Sequence, residues 1–154
     1  MGRAPILYVD GTAIAQSKTI ERFVGRKLGF MGANDIEAAQ VDAICEHVAD
    51  IKKTYSDCKV GKKDEELAAA KAKWIGETFP EWCAKLEKCL GGNGFAIGSK
   101  LSLADLVIFS IVELVDDKAG AESALNANPK LAASLAATKA AAAGWIAKRP
   151  DTKF

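Results

Sequence analysis

Two short stretches hold the residue types that could do chemistry. The first reads Ala4-Pro5-Ile6-Leu7-Tyr8-Val9-Asp10-Gly11 and continues to Ala15-Gln16-Ser17. Gln16 and Ser17 stand just ahead of a helical pattern. An anion placed there would meet free N–H groups, a hydroxyl and the positive end of the helix dipole. Ser17 can equally be a plain N-cap and Gln16 a loop residue. The local residues leave both readings open. The second stretch, Ser102-Leu103-Ala104-Asp105, has the spacing of a capping box. The Ser102 hydroxyl can accept from the Asp105 N–H while the Asp105 carboxylate reaches back to the Ser102 N–H.

Other chemistries find little support. Gly91-Gly92-Asn93-Gly94 follows a helical pattern rather than a strand, so it is no phosphate loop. The single histidine, His47, lies mid-helix beside an apolar seam, with no nucleophile signature nearby, and reads as a boundary residue. The cysteines at 45, 58, 83 and 89 form no C-x-x-C pair, and His47 cannot complete a metal cluster with them. Free, mostly buried thiols and no metal site are expected. That usage fits the cytoplasm or another reducing compartment.

These residues need elements to position them. Pro5 to Val9 is rich in strand formers, Asp10-Gly11 is a strong hairpin signal, and Thr12 to Ala15 completes a second strand. The period then changes. Ile20, Phe23, Val24 and Leu28 recur at helical spacing, with Ser17 as a cap and Gly29 as the stop. Asn34 opens the next helix with Glu37 at the capping-box position. Val41, Ile44, Val48, Ile51 and Tyr55 make one apolar seam along it. Asp64-Glu65-Glu66 opens another helix, within which Pro80 must kink or restart the chain. From Leu106 to Val115 the residues are apolar on nearly all faces, as in a buried central helix. Asn128-Pro129 starts an alanine-rich last helix, anchored at its end by Trp145 and Ile146.

Composition sets the outer limits. The 154 residues are 49% hydrophobic and 27% charged, which is globular, and a formal net charge of +1 argues against nucleic acid or an anionic membrane as the main partner. No secretory signal and no run of about 18 apolar residues is visible, so no membrane insertion is expected.

Taken together, the motifs resemble the cytosolic glutathione S-transferases, in the style of the sigma class with its prostaglandin D synthase and crystallin-like members. Residues 17–28 are similar to that family's third helix and residues 37–49 to its fourth. Residues 98–109 are similar to its capping-box module, and residues 145–154 to its last helix and RP-x-T-x-F ending. The resemblance implies a mostly α fold: a transferase C-terminal helical bundle over residues 34–154. It is preceded by a β-hairpin and helix, residues 1–29, that form a remnant of a thioredoxin-like domain. Glutathione is the implied ligand. The peptide before Pro5 would be cis, the Ala4 backbone would pair with the cysteinyl part of glutathione, and Gln16 and Ser17 would hold its γ-glutamyl carboxylate. Asp42 matches an acid that, in dimeric members, reaches the other subunit's glutathione amine; as a bare residue it is a solvated flank beside the seam.

The resemblance also has a gap. The family begins with strand–helix–strand before the proline, a unit of roughly 30 residues or more, whereas four residues precede Pro5 here. The tyrosine or serine that stabilises the glutathione thiolate belongs to that first strand. No catalytic residue is therefore assigned, and Tyr8 lies on the wrong strand to replace it. The expected function is a glutathione transferase-like protein with half a glutathione site. The alternative is a non-catalytic structural or interaction subunit. Removing the first strand leaves an apolar edge on Pro5 to Val9, for which a protein partner or a homodimer is expected.

Overall fold

The computed structural model describes residues 4–150; residues 1–3 and the last part of the expected C-terminal motif, residues 151–154, lie outside the described residues. Strand β1 (Ile6–Val9) pairs antiparallel with β2 (Thr12–Ala15), with Ile6 opposite Ala15 and Val9 opposite Thr12. Asp10 and Gly11 both take positive φ, 48° and 80°, as a type I′ turn requires. Helix α1 (Ser17–Lys27) follows at once. It ends in a Schellman arrangement: Gly29 N–H donates to the Arg26 carbonyl at 3.3 Å and Phe30 N–H to the Gly25 carbonyl at 2.7 Å. Its expected apolar face is only partly covered. Val24 is exposed and Leu28 is 64% exposed, because nothing among the described residues packs on that side.

The long helix α2 (Asp35–Asp57) is capped as expected by Asn34, whose side-chain oxygen accepts from the Ile36 and Glu37 N–H groups, both at 3.0 Å. Glu37 reaches one residue further back than a capping box, accepting from Ala33 N–H at 2.7 Å. The whole seam from Val41 to Tyr55 is buried.

Helix α3 (Asp64–Lys73) runs through a π-helical segment, Trp74–Thr78, into α4 (Phe79–Cys89). Pro80 is thus accommodated without a break. The Phe79 N–H donates five residues back, to the Trp74 carbonyl, so the ladder is already widened where the proline ring needs room. The wider turn also stacks Trp74 on Phe79, ring centroids 4.9 Å apart, with Tyr55 tilted against the same indole at 4.8 Å.

Helix α5 (Leu103–Leu114) is the centre of the bundle. Ala104, Asp105, Ile108 and Ile111 have no exposed surface. Its burial is not uniform: Leu106 is half-buried and Leu114 is 44% exposed, so one stripe of α5 faces outward. Helix α6 (Lys118–Asn126) packs against α4, α5, α7 and the π segment. Its approach is close: a Cβ on Gly120 would lie 2.8 Å from Ile75 Cγ2. Helix α7 (Pro129–Ile146) closes the bundle against α5. Its start is held by Glu87 of α4, whose two carboxylate oxygens accept from the Lys130 and Leu131 N–H groups, each at 3.0 Å. Asn128 makes no such bond. Trp145, expected as an anchor, is 60% exposed, while Ile146 packs partly on the core. Among the described residues no helix is long and apolar enough to cross a membrane.

Candidate functional site

The hairpin register brings the two halves of the first motif together. Because Ile6 pairs with Ala15, Pro5 and Gln16 are the next residues out at the open end of the ribbon. The Ala4–Pro5 peptide there is cis. Ser17 then begins α1 directly, so Ala4, Pro5, Gln16 and Ser17 cluster at one end of the hairpin.

The start of α1 differs from the expected plain cap. Gln16, not Ser17, occupies the cap position, with φ 74° and ψ 119°. A non-glycine residue rarely adopts positive φ, and holding one there costs about 1–3 kcal/mol. No side chain caps this end, and the first turn carries no acid. Lys18 even adds a positive charge. The first intrahelical bond is Ile20 N–H to the Gln16 carbonyl at 3.0 Å, leaving the N–H groups of Ser17, Lys18 and Thr19 without an intrahelical acceptor. An anion fits this end on both counts, free donors and dipole.

Side chains hold the starts of α2, α5, α6 and α7, whereas α3, like α1, has no side-chain cap. At α5 the Asp105 carboxylate accepts from Ser102 N–H at 2.9 Å, Ser102 Oγ at 2.8 Å, Ala96 N–H at 2.7 Å and Ser134 Oγ at 2.7 Å. Both halves of the capping box form, as its spacing predicts. The bonds from Ala96 and Ser134 add a tie to the preceding loop and to α7. Asp117 caps α6 through Gly120 N–H at 2.8 Å, and α3 opens on its own acids, Asp64, Glu65 and Glu66.

Asp42 lies on α2 facing α1, where its carboxylate accepts from Arg22 Nε at 2.7 Å. Arg22 also pairs with Glu46 and donates to the Lys18 carbonyl at 3.3 Å. The guanidinium therefore staples α1 to α2. No sequence spacing signalled this pair, because the partners are 20 residues apart on different helices. Tyr8 sits on β1, 69% exposed.

The remaining reactive groups are quiet. Cys45 and Cys83 are buried, and burial pushes their thiols up to about 11 and about 12, so both stay protonated near neutral pH. Cys58 is half-buried and Cys89 exposed; all four are free. His47 meets the edge of Trp82 at 5.2 Å, and its Nε2 has no hydrogen-bond partner among the described residues. Among the described residues no group of three or more His, Cys, Asp or Glu is placed to hold a metal ion.

This combination, a cis-proline hairpin and one helix leading into a helical bundle, has the architecture of the glutathione-transferase fold. Comparison with known proteins agrees. Residues 49–149 match the family described as glutathione S-transferase, C-terminal domain. The chain is 28% identical to glutathione S-transferase 3 of Caenorhabditis elegans, across 99% of this chain and 77% of that protein. It is 31% identical to S-crystallin SL11 of Nototodarus sloanii, across 97% of this chain and 75% of that one. A shorter match, to probable glutathione S-transferase 6 of C. elegans, is 34% identical and covers 59% of that protein. The solved structure of the monomeric glutathione S-transferase Na-GST-3 from the hookworm Necator americanus superposes with a TM-score of 0.78 at 27% identity, over 99% of this chain and 77% of that one. The chain belongs to the glutathione S-transferase family. It spans about three quarters of the relatives it matches from end to end.

Proposed function

We propose that this chain supplies the γ-glutamyl half of a glutathione site together with the helical domain that receives the electrophile. The reaction class is conjugation or isomerisation with glutathione. The observation that carries this reading is the open start of α1. It is free of side-chain caps and acids, and it lies beside Ala4–Pro5 at the same end of the hairpin. In the complex, the Ser17 hydroxyl and the first-turn N–H groups would hold the γ-glutamyl carboxylate. Gln16 would position it, and the Ala4 backbone would pair with the cysteinyl part. These groups bind and orient; none is a general acid or base. Asp42 suits a cross-subunit role less well, since Arg22 must release it first. Lowering the thiol pKa needs a donor at the sulfur, which in the family comes from a strand other than β1.

The test is calorimetric titration with glutathione and with cysteinylglycine, which lacks the γ-glutamyl group. Weak binding of glutathione and none of the dipeptide is expected. Equal binding of the two would sink the assignment of Gln16 and Ser17. The 154 residues alone should turn over glutathione and a chlorodinitrobenzene no faster than the uncatalysed background.

A second reading has its own observation. The outer edge of β1 pairs with nothing among the described residues, and Ile6 and Tyr8 stand exposed along it. Such an edge accepts an added strand. A non-catalytic subunit docked through this edge would show a stable complex or self-association in light scattering. A strict monomer without partners would count against it.

A further inference from the structure

The far end of α1 holds a cavity of about 110 Å³, where the α1–α2 linker faces the loop that leads into α5. That is room for about three or four waters, or for one molecule of about six heavy atoms. Ile97 and Leu101 give it an apolar lining, and Glu37, Ser99 and Lys100 give it a polar one. The 11 residues of α1, about 16 Å of helix, separate it from Gln16 and Ser17. The cavity is therefore distinct from the cluster at the open end of the hairpin.

Glu37 is fixed by the two loops it touches. Its Oε2 accepts from Ala33 N–H at 2.7 Å. Gly32 and Gly98, at φ 83° and 65°, bring backbone against its side chain. A Cβ on Gly32 would lie 2.5 Å from Glu37 Cβ, and one on Gly98 would lie 2.9 Å from Oε2 and 3.1 Å from Oε1. Oε1 itself accepts no hydrogen bond among the described residues. Lys100 stands exposed at the same cavity, with Ser99 next to it. Among the described residues neither Glu37 nor Lys100 forms an ion pair, with each other or with any other charge. Two opposite charges thus line one small cavity without meeting. A ligand carrying both signs can give each a charge-assisted hydrogen bond. A ligand of one sign brings a like charge close to one of them and gains less.

We propose that this cavity is a binding site for a small zwitterion, an amino acid with a short aliphatic side chain. Its ammonium would donate to Glu37 Oε1, its carboxylate would accept from Lys100 and Ser99, and its side chain would lie against Ile97 and Leu101. The site does not depend on the glutathione reading. The test is calorimetric titration of the full chain with L-alanine, paired with thermal unfolding. Alanine should bind in the millimolar range and raise the midpoint of unfolding. Alaninamide, which lacks the carboxylate, and N-acetylalanine, which lacks the ammonium, should each bind about tenfold more weakly, the size of one charge-assisted hydrogen bond. Tryptophan is too large for the cavity and should not bind. Glu37→Gln keeps an acceptor for Ala33 N–H but removes the charge, and Lys100→Met removes the cation; each should weaken alanine about tenfold. Should Glu37→Gln fail to fold by circular dichroism, the comparison of alanine with its two blocked forms decides on the unmodified protein. No binding of alanine, equal binding of all three, or indifference to both substitutions overturns the proposal. Ser17→Ala should leave alanine binding unchanged. Its loss in that variant would place alanine at the start of α1 and overturn the site assigned here.

Discussion

The starts of α1 and α5 are built from similar residues and finish in opposite states. Each has a serine at its opening, Ser17 and Ser102. At α5 the end is buried and over-supplied: one carboxylate accepts four hydrogen bonds and ties together the helix, the loop at Ala96 and α7. At α1 the end faces outward, and the serine lies one position too late to cap. A buried helix end must be satisfied by the protein because water cannot reach it. An exposed end can stay open, and an open end is available to a ligand. The difference teaches that burial, not the residue type at the opening, decides whether a helix end must be filled by the protein.

The comparison can be broken hardest at α5. Asp105→Ala should destabilise the fold by about 3 kcal/mol or more, since it strands two hydroxyls and two N–H groups away from water. Urea denaturation measures this, and a loss below about 1 kcal/mol would mean that the buried cluster is not what holds α5 and α7 together. Glu87→Ala frees two N–H groups at the start of α7, with an expected cost of about 1–2 kcal/mol in the same assay. Ser17→Ala sharpens the other side. It should leave stability within about 0.5 kcal/mol, because its hydroxyl caps nothing, while weakening glutathione. Ser17→Asp should raise stability by about 0.5 kcal/mol through the helix dipole and yet abolish glutathione binding, because the new carboxylate takes the ligand's place. A destabilised Ser17→Ala with unchanged glutathione binding would reverse the assignment of roles.

The smallest effect concerns pH. Arg149 donates to Glu113 at 2.7 Å, and this bond, aided by Lys118 and opposed by burial, lowers the Glu113 carboxyl below its ordinary 4.5. A depressed folded-state value means the stabilisation is complete above about pH 4.5 and is lost as pH falls through the lower, folded value. For a pair this near the surface the amount is under about 1 kcal/mol. Glu113→Gln should flatten the acid limb of the stability curve slightly and change nothing at pH 7.

Much of this was legible from local spacing. The type I′ turn at Asp10-Gly11, the α2 seam, the Asn34 cap and the Ser102–Asp105 box depend on residues within a few positions of one another. What the sequence hid depends on distance or on backbone freedom. Glu87 caps a helix 43 residues later, and Arg22 meets Asp42 across 20 residues. The positive φ of Gln16 has no signature in its side chain. Helix α6 was not singled out because only Ala121 and Leu125 are buried in it, too few for a visible period. Pro80 was expected to kink or restart the helix, and one π turn absorbed it instead. Val24, Leu28 and Trp145 are apolar but exposed, because apolarity predicts burial only where a neighbour exists. At the candidate site, Ala4, Pro5, Gln16 and Ser17 do meet at one end of the hairpin; that no side chain caps α1 is visible only in the structure.

The three tryptophans sit in three different optical environments. Trp74 is stacked on Phe79 with its indole N–H donating to Thr54 Oγ1 at 2.9 Å, Trp82 lies against His47 with Lys85 above its ring, and Trp145 is mostly open with Arg149 over its face. Emission from this protein is therefore a sum of separable reporters. An added quencher such as acrylamide should silence Trp145 first and leave a residual, blue-shifted signal from Trp74. The π turn that made room for a proline has also placed a built-in gauge of core integrity beneath the bundle.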